Sequence, residues 1–299
     1  MTLQQLKYAV TVAECGTISA AAEKLFISQP SLTAAIRELE TEMGVTIFSR
    51  TNRGVIVSRE GEEFLGYARQ ILSQAQLMQE RFGGQEQGEK RFAVSSQHFN
   101  FTVWAFTQLV QRLPNQRYNL HFRETTTYEV LEDVSQLRSE IGVLALNEDN
   151  ERYLRRLFSK LELEFTELKR VRASIIMSAE HPLAGHRSVT VEDVIPYPCI
   201  TFEQGEHNEL FFFEGLSAAA VQSPRRICVR ERATEYQLLQ DLNGFCPDVG
   251  LDSPAMTNFI SVPLLPEKYH SIGYILRKDM TPSPMTLEYI AALQEAASV

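Results

Sequence analysis

The sequence has no long apolar run, no paired cysteines and no excess of basic residues. None of its apolar stretches approaches the about 18–20 residues that cross a bilayer, so we expect no membrane partner. The N-terminus lacks a basic segment followed by an apolar run, so no secretory signal is expected. Its four cysteines never form a CxxC pair, which fits reduced thiols. We therefore predict a cytoplasmic protein.

Common catalytic and cofactor motifs are also absent. The chain contains no Gly-x-Ser-x-Gly elbow, no dinucleotide-binding glycine fingerprint and no HExxH zinc motif. His181, His186 and His207 lie near carboxylates, but their spacing matches no known metal site. We therefore expect neither an enzyme nor a metal or other cofactor.

The chain of 299 residues is long enough for about two domains, and its formal net charge is −9. Phosphate neutralisation requires local positive charge, so this total by itself argues against a nucleic-acid partner. Residues 1–58, however, contain five basic and five acidic residues, and the acidic excess lies in the rest of the chain. The charge therefore does not exclude a DNA-binding N-terminal domain, and it predicts modest affinity per protomer.

The first 58 residues have the pattern of a winged helix-turn-helix. Residues 2–16 start with a capping-box pair and end in glycine, and a short second helix follows. Ser28 is a good N-cap for a third helix, which Gly44 ends. Two short apolar runs around a turn within residues 45–57 predict a small hairpin, the wing.

The third helix and the wing carry the predicted DNA contacts. A helix N-terminus in the major groove places small polar side chains against base edges, and nearby arginines meet phosphates. The alternative is a motif used only for packing, but arginines at an exposed turn favour DNA. The predicted DNA-binding residues are Ser28, Gln29, Pro30, Ser31, Thr33, Arg37, Arg50 and Arg53.

A long helix is predicted from residue 59 to a glycine-rich linker that begins at residue 83. Its apolar residues recur at alternating steps of four and three, which is the spacing of a heptad seam. This seam predicts dimerisation, and packing of the helix on its own domain remains the alternative. The predicted dimerisation residues are Phe64, Ala68, Ile71, Ala75, Met78 and Phe82.

From residue 91 strands and helices alternate, which is typical of a parallel sheet with helices on both faces. A helix is expected after each of the first two strands, the second at about 128–138, and a last helix at about 285–297. The fold class is therefore α/β, preceded by a helical domain with a wing. The predicted strands are 92–95, 119–123, 141–146, 171–177, 198–202, 226–230, 259–264 and 271–276.

The N-terminal residues resemble those of the LysR-type transcriptional regulators. This resemblance covers most of residues 3–61 and is specific, whereas overall length and His181-Pro-Leu-Ala184 extend it weakly. The matching segments include Leu3-x-x-Leu6, Ile18-Ser-Ala-Ala-Ala22, Ser28-Gln-Pro-Ser-Leu32, Ile36-Arg-Glu-Leu-Glu40, Gly44-Val-x-Ile-Phe48 and Gly54-Val-x-Val-Ser58.

The resemblance implies a domain order and a set of partners. A winged helix-turn-helix at 1–58, a dimerisation helix and hinge at 59–89 and a periplasmic-binding-protein-like effector module at 90–299 are expected. The first effector subdomain would span about 90–162 and 267–299, and the second about 163–266. The family binds promoter inverted repeats in double-stranded DNA as a homodimer or homotetramer, and RNA polymerase is a further expected partner.

The resemblance also implies a small-molecule coinducer between the two effector subdomains. The end of the first strand and the start of its helix line this cleft, and groups at a helix N-terminus suit an anionic or polar metabolite. Each residue can instead be an ordinary cap or turn residue. The predicted effector-binding residues are Ser95, Ser96, Gln97, His98, Thr126, Thr201 and Phe202.

A thiol-based redox sensor is the alternative type of regulator. Such a sensor needs an accessible thiolate of low pKa and usually a resolving partner. The candidates are Cys199, Cys228 and Cys246, whose separation in the sequence neither supports nor excludes this function.

Overall fold

The chain, in a computed structural model, forms two compact units, one made chiefly of residues up to 88 and the other of most of the remainder. No helix within the described residues is long and apolar enough to cross a bilayer. The structure describes residues 1–51, 54–82, 90–114, 117–205, 212, 223–249 and 257–298.

The first unit contains three short helices, a hairpin and a long helix. The predicted capping box at the start of the first helix is confirmed, and Gly16 ends that helix at a left-handed φ of 67°. Thr17 caps the second helix, because its side chain accepts the Ala20 N–H. The elements are α1 (Leu3–Cys15), α2 (Ile18–Lys24), α3 (Gln29–Met43), β1 (Phe48–Thr51), β2 (Gly54–Val57) and α4 (Arg59–Phe82).

The hairpin starts later than the sequence predicts. Strand β1 begins at Phe48 and pairs antiparallel with β2, whereas the apolar run begins at Val45. The Glu40 carboxylate accepts the backbone N–H groups of Ile47 and Phe48 at 2.7 and 3.0 Å. This contact fixes the end of α3 to the base of the wing.

The first sheet of the second unit has the order β4-β3-β5-β13-β6. Its first three strands are parallel, as predicted, but β13 runs antiparallel to β5 and β6, so the sheet is mixed. The strands are β3 (Lys90–Ser96), β4 (Tyr118–Glu124), β5 (Ile141–Leu146), β6 (Leu163–Arg172) and β13 (Tyr269–Arg277).

Helices cover both faces of this sheet. Every residue of β5 is buried, with Val143 and Ala145 in the apolar core on one face and Leu144 and Leu146 in the core on the other. Two-sided burial explains why this strand reads as an uninterrupted apolar run. The helices of this subdomain are α5 (Asn100–Gln111), α6 (Thr127–Ser135), α7 (Glu151–Lys160) and α10 (Pro284–Ser298).

The second sheet has the order β10-β9-β11-β7-β12-β8 and is also mixed. Alternate residues of β7 again point to opposite faces: Ile175 and Met177 lie in one apolar core, and Ile176 joins Ile200 and Leu239 in another. The elements are β7 (Ser174–Ser178), β8 (Val189–Thr190), α8 (Val191–Val194), β9 (Cys199–Phe202), β10 (Arg226–Val229), α9 (Arg232–Asp241), β11 (Phe245–Asp248) and β12 (Phe259–Leu265).

The chain passes between the two sheets at Ala173 and again after β12. The Ala173 N–H donates to the Lys268 carbonyl at 2.8 Å, which holds the two passages together. Strand β6 pairs with β13 throughout its length and therefore belongs to the first sheet, not to the second subdomain as predicted. The division between the sheets falls at Ala173 rather than before residue 163.

Candidate functional sites

The N-terminal end of α3 presents small polar groups to solvent. The Ser28 hydroxyl accepts the Ser31 N–H at 3.2 Å, so it caps the helix as predicted. Residues Leu32, Ile36 and Leu39, spaced four and three apart, are buried in the core of the first unit. Their burial leaves the opposite face of α3 exposed, and Ser28, Gln29, Pro30, Ser31 and Arg37 are exposed while Thr33 is half-buried.

The wing residues are described only in part. Arg50 lies in β1, where its backbone is opposite Val55 of β2. Arg53 lies outside the described residues. Their predicted contacts with phosphates therefore stay predictions.

The predicted seam of α4 has two different environments. Ala68 is buried, and Phe64 is half-buried against the core of the first unit. Ile71 and Met78, in contrast, are 39% and 61% exposed, and Ala75 is half-buried. The side chain of Phe82 is not among those described. Packing within the first unit therefore explains the first half of the seam. The second half of the seam is an exposed apolar surface.

A cavity of about 30 Å³ lies between the two sheets of the second unit. That volume holds about two water molecules, so a larger ligand enters only if the walls move apart. Three predicted effector residues line it: His98, Thr201 and Phe202. The remaining polar and titratable lining residues are Asn100, Arg232, Glu235, Tyr236, Cys246 and Asp248.

A polar network joins the two walls of the cavity. Arg232 at the start of α9 pairs with Glu124 at the end of β4, through both its Nε and its Nη2. Arg232 Nη1 also donates to Asn100 Oδ1, and the Tyr236 hydroxyl donates to the same oxygen at 2.6 Å. Glu124 and Asn100 belong to the first subdomain, so these contacts hold the cleft nearly closed.

Two further contacts cross the cleft. The His98 ring stacks on the Phe202 ring with centroids 3.7 Å apart and planes 3° from parallel. The Thr127 N–H donates to the Gln204 side chain at 3.2 Å. Both contacts join a residue of the first subdomain to one of the second.

The predicted serines do not line the cavity. Ser95 is fully buried and bonds to Asp133 and Ser139, and Ser96 is fully buried and donates to the Gln97 carbonyl at 2.7 Å. The Gln97 side chain is likewise buried, where its Oε1 accepts the Ala145 N–H at 2.8 Å. These side chains tie the end of β3 to its own subdomain.

Thr126 is a helix cap rather than a cavity residue. Its hydroxyl accepts the Glu129 N–H at 3.3 Å, one residue before α6 begins. At this position the structure therefore has a helix cap, which was the alternative to a ligand contact.

Sequence reasoning missed the cavity residues on α9. Arg232, Glu235 and Tyr236 share one face of this helix, because residues three and four apart are neighbours there. Polar side chains on the inward face hide the apolar periodicity that would reveal the helix. The signal available was the spacing of these three residues immediately after β10.

Burial dominates the electrostatics of α9. It raises the pKa of the Glu235 carboxyl to about 7, against the lowering effects of the Cys246 thiol and of Arg232. Burial opposes the charge of Arg232, yet Glu124 raises its pKa above the usual value. A buried carboxyl with a pKa near neutrality therefore lines the cavity.

The three candidate cysteines of the redox alternative differ in exposure. Burial raises the pKa of Cys199 to about 12 and that of Cys246 well above its usual range, so neither thiol ionises readily. Cys228 is exposed and lies 3.5 Å from the Thr201 hydroxyl. Within the described part of the chain, no group of three or more His, Cys, Asp or Glu side chains is placed to hold a metal ion.

Family models match both units. Residues 3–62 match the bacterial regulatory helix-turn-helix protein model of the lysR family, and residues 83–298 match the LysR substrate binding domain. The chain belongs to the LysR family. It is a DNA-binding transcription regulator with an effector-binding domain.

Curated relatives in this family are transcription regulators. The HTH-type transcriptional regulator AlsR of Bacillus subtilis (strain 168) is 26% identical over 303 residues, which covers 99% of this chain and 91% of AlsR. TfdT of Cupriavidus pinatubonensis is 44% identical over 89 residues, but the match spans only 30% of this chain and 39% of TfdT.

Solved structures share the full-length fold. Full-length OxyR from Pseudomonas aeruginosa matches with a TM-score of 0.65 at 20% identity, covering 100% of this chain and 95% of OxyR. Full-length CbnR in complex with its target DNA matches with a TM-score of 0.55 at 20% identity, covering 99% of this chain and all of CbnR. At these identities the match establishes the fold alone.

Proposed function

We propose that this LysR-family chain is a coinducer-controlled regulator whose ligand binds in the cleft between the two sheets. The network of Arg232, Glu124, Asn100 and Tyr236 carries this proposal, because it spans both walls of the cavity. A ligand that enters must break or replace these contacts, and it thereby changes the relation of the two subdomains. Paired subdomains that close around a ligand are a common switching element.

DNA is read by the exposed end of α3. Gln29, Ser31 and Thr33, with Ser28 and Pro30, face the bases, and Arg37, Arg50 and Arg53 meet phosphates. A homodimer, formed through the exposed half of α4, presents two such ends to an inverted repeat, and two homodimers form the tetramer. The structure of full-length CbnR, which has the same fold, contains its target DNA, and this supports DNA as the partner.

Each domain has its own role. Residues 1–58 bind DNA, residues 59–89 form the dimer and residues 90–299 respond to the coinducer. The protein works in the cytoplasm and catalyses no reaction. On DNA, the complex acts on RNA polymerase. His98, Thr201 and Phe202 contact the ligand together with the α9 residues. Ser95, Ser96, Gln97 and Thr126 support the walls of the cleft from behind.

The proposal is tested by searching for a compound that binds in the cleft and then measuring its effect on DNA affinity. Full-length protein is screened by thermal shift against acids, amino acids, amines and sugars, since a ligand stabilises by RT ln(1 + [L]/Kd). Tyr236→Phe should reduce the stabilisation by a hit, and Tyr118→Phe, an exposed tyrosine outside the cavity, should not. Each hit should also change the affinity for a selected duplex. Hits that stabilise both variants equally, or leave DNA binding unchanged, contradict the proposal.

A further inference from the structure

The turn between α2 and α3 contains a residue in an unfavourable backbone conformation. Phe26 has a left-handed φ of 55°, and its N–H donates to the Glu23 carbonyl at 3.1 Å. The Ile27 N–H donates to the Ala22 carbonyl at 3.0 Å. These two bonds form a Schellman motif at the end of α2, and Phe26 has the position in this motif that is usually glycine.

Other helices of the chain end in residues that tolerate this conformation. Gly16 and Gly44 follow α1 and α3 with a φ of 67°, and Asn243 comes shortly after α9 with a φ of 49°. Leu137, the other apolar residue with a positive φ among the described residues, is half-buried. A bulky side chain at such a φ costs stability, and strained residues of this kind cluster at functional sites.

The Phe26 ring lies in solvent. It is 95% exposed, whereas Leu25 and Ile27 on either side pack against the core of the first unit. A single exposed apolar residue is common on protein surfaces. An exposed phenylalanine at a position that favours glycine is different, because the free chain gains nothing from the ring and loses stability through the backbone. The ring is therefore expected to contribute in a complex rather than in the free chain.

Phe26 lies next to the proposed DNA-reading end of α3. It comes two residues before Ser28, the N-cap, so the two Cα atoms lie within about 7 Å of each other. Ser28, Gln29, Pro30 and Ser31 are exposed as well. The surface that contains Phe26 is therefore continuous with the surface that would enter the major groove.

We propose that Phe26 is a further DNA-contacting residue, whose ring packs on the C5-methyl group of a thymine in the half-site. This inference rests on the proposed function and adds an apolar contact to the polar readout by α3. The major-groove edge of thymine carries this methyl group, and phenylalanine is one of the side chains that contact it. The contact buries the ring that the free chain exposes, without neutralising a phosphate.

The contact is tested by removing one partner at a time. The duplex is the one that the full-length protein selects, and each thymine is replaced in turn, in both half-sites, by uracil, which lacks only the methyl group. One such replacement should weaken binding about tenfold, since each buried methyl group contributes about fourfold. Phe26→Ala should weaken binding to the thymine duplex at least as much, and the same replacement should then change the affinity of the variant less than about twofold.

Two variants serve as controls for the loss of the ring. Phe26→Tyr keeps an aromatic ring and should keep both the affinity and the thymine preference. Met43→Ala removes a 41% exposed apolar side chain at the other end of α3 and should change neither. Phe26→Ala and the parent should also have the same dependence of affinity on salt, because the ring neutralises no phosphate.

A stability measurement separates a DNA contact from a structural role of Phe26. Phe26→Gly removes the ring and relieves the backbone, so it should raise the Tm of the full-length protein by at least about 2 °C in scanning calorimetry. The same variant should bind the selected duplex as weakly as Phe26→Ala. A lower Tm would show that the ring stabilises the turn, and would overturn the proposal.

The outcomes separate this inference from the proposed function. If Phe26→Ala binds the selected duplex as tightly as the parent, or if no thymine methyl group is coupled to the ring, the thymine contact is wrong and DNA reading by Gln29 and Ser31 stands. A loss of transcription by RNA polymerase at unchanged DNA affinity would likewise overturn the contact and assign the ring to a protein partner. If the full-length protein selects no duplex, the Phe26 contact and the proposed DNA-binding function both fail.

Discussion

Glu235 is a buried acid whose ionisation destabilises the folded chain at neutral pH. Burial raises its pKa from 4.5 to about 7. A group whose pKa is higher in the folded chain contributes stability that is fully present below about pH 4.5 and is lost as the pH rises through 7. Retention of such a residue at a cavity is typical of a functional site.

Replacing this acid by its neutral amide should therefore stabilise the protein at high pH. Glu235→Gln should raise the free energy of unfolding at pH 8 by at most about 3 kcal/mol, and the gain should disappear at pH values below about 4.5. Urea unfolding of parent and variant at the two pH values measures both the gain and its loss. A variant that is less stable than the parent at pH 8 would show that Glu235 is ionised and well paired.

Gly61 and Gly66 on α4 offer a contrast within one helix. A Cβ on Gly61 would clash with the Ile47 carbonyl oxygen, whereas a Cβ on Gly66 meets nothing within 4 Å. Gly61→Ala should lower the free energy of unfolding by about 1–3 kcal/mol through overpacking, and Gly66→Ala should raise it by about 0.5–1 kcal/mol. Equal effects in chemical denaturation would contradict the close approach of α4 to the base of the wing.

Helices with strong end signals were predictable from the sequence. Ser28, Pro30 and Gly44 mark both ends of α3, and the structure has the helix between them. The residue at which the hairpin begins was not predictable. The Glu40 carboxylate on α3 accepts the backbone N–H groups of Ile47 and Phe48, and the first strand starts only at Phe48. Tertiary hydrogen bonds of this kind leave no local pattern.

The second half of α4 should hold two protomers together. Ile71 and Met78 lie seven residues apart on one face and are exposed, so a partner helix would bury them. Ile71→Asp with Met78→Asp should convert the dimer to a monomer in analytical ultracentrifugation. Met43→Asp, a change at an exposed methionine on α3, should leave the mass unchanged. A dimer that survives the double substitution would assign dimerisation to another surface.

At the scale of the whole molecule, the α/β class, the division into two parts and three residues of the cleft were predictable, but the polar contacts across the cleft were not. Parallel strand–helix alternation identified β3, β4 and β5, whereas the return of the chain through β13 makes the sheet mixed. Glu124 and Arg232 are 108 positions apart, and only the path of the chain between the two sheets brings them together. The predicted Ser95 and Ser96 instead bond within their own subdomain.

The proposed function requires that the α3 ends of two protomers read a symmetric DNA site. Arg37→Ala should weaken binding to all duplexes alike and reduce the salt dependence, because its proposed partner is phosphate. Gln29→Ala should alter sequence preference instead, because its proposed partner is a base edge.

The most direct measurement is selection of duplexes from a random library by the full-length protein, followed by sequencing. The account predicts an inverted repeat whose half-sites change with Gln29→Ala and stay the same with Gln240→Ala, an exposed glutamine on α9. The account would be contradicted if no motif were enriched. It would also be contradicted by a motif that lacks dyad symmetry and stays the same with Gln29→Ala.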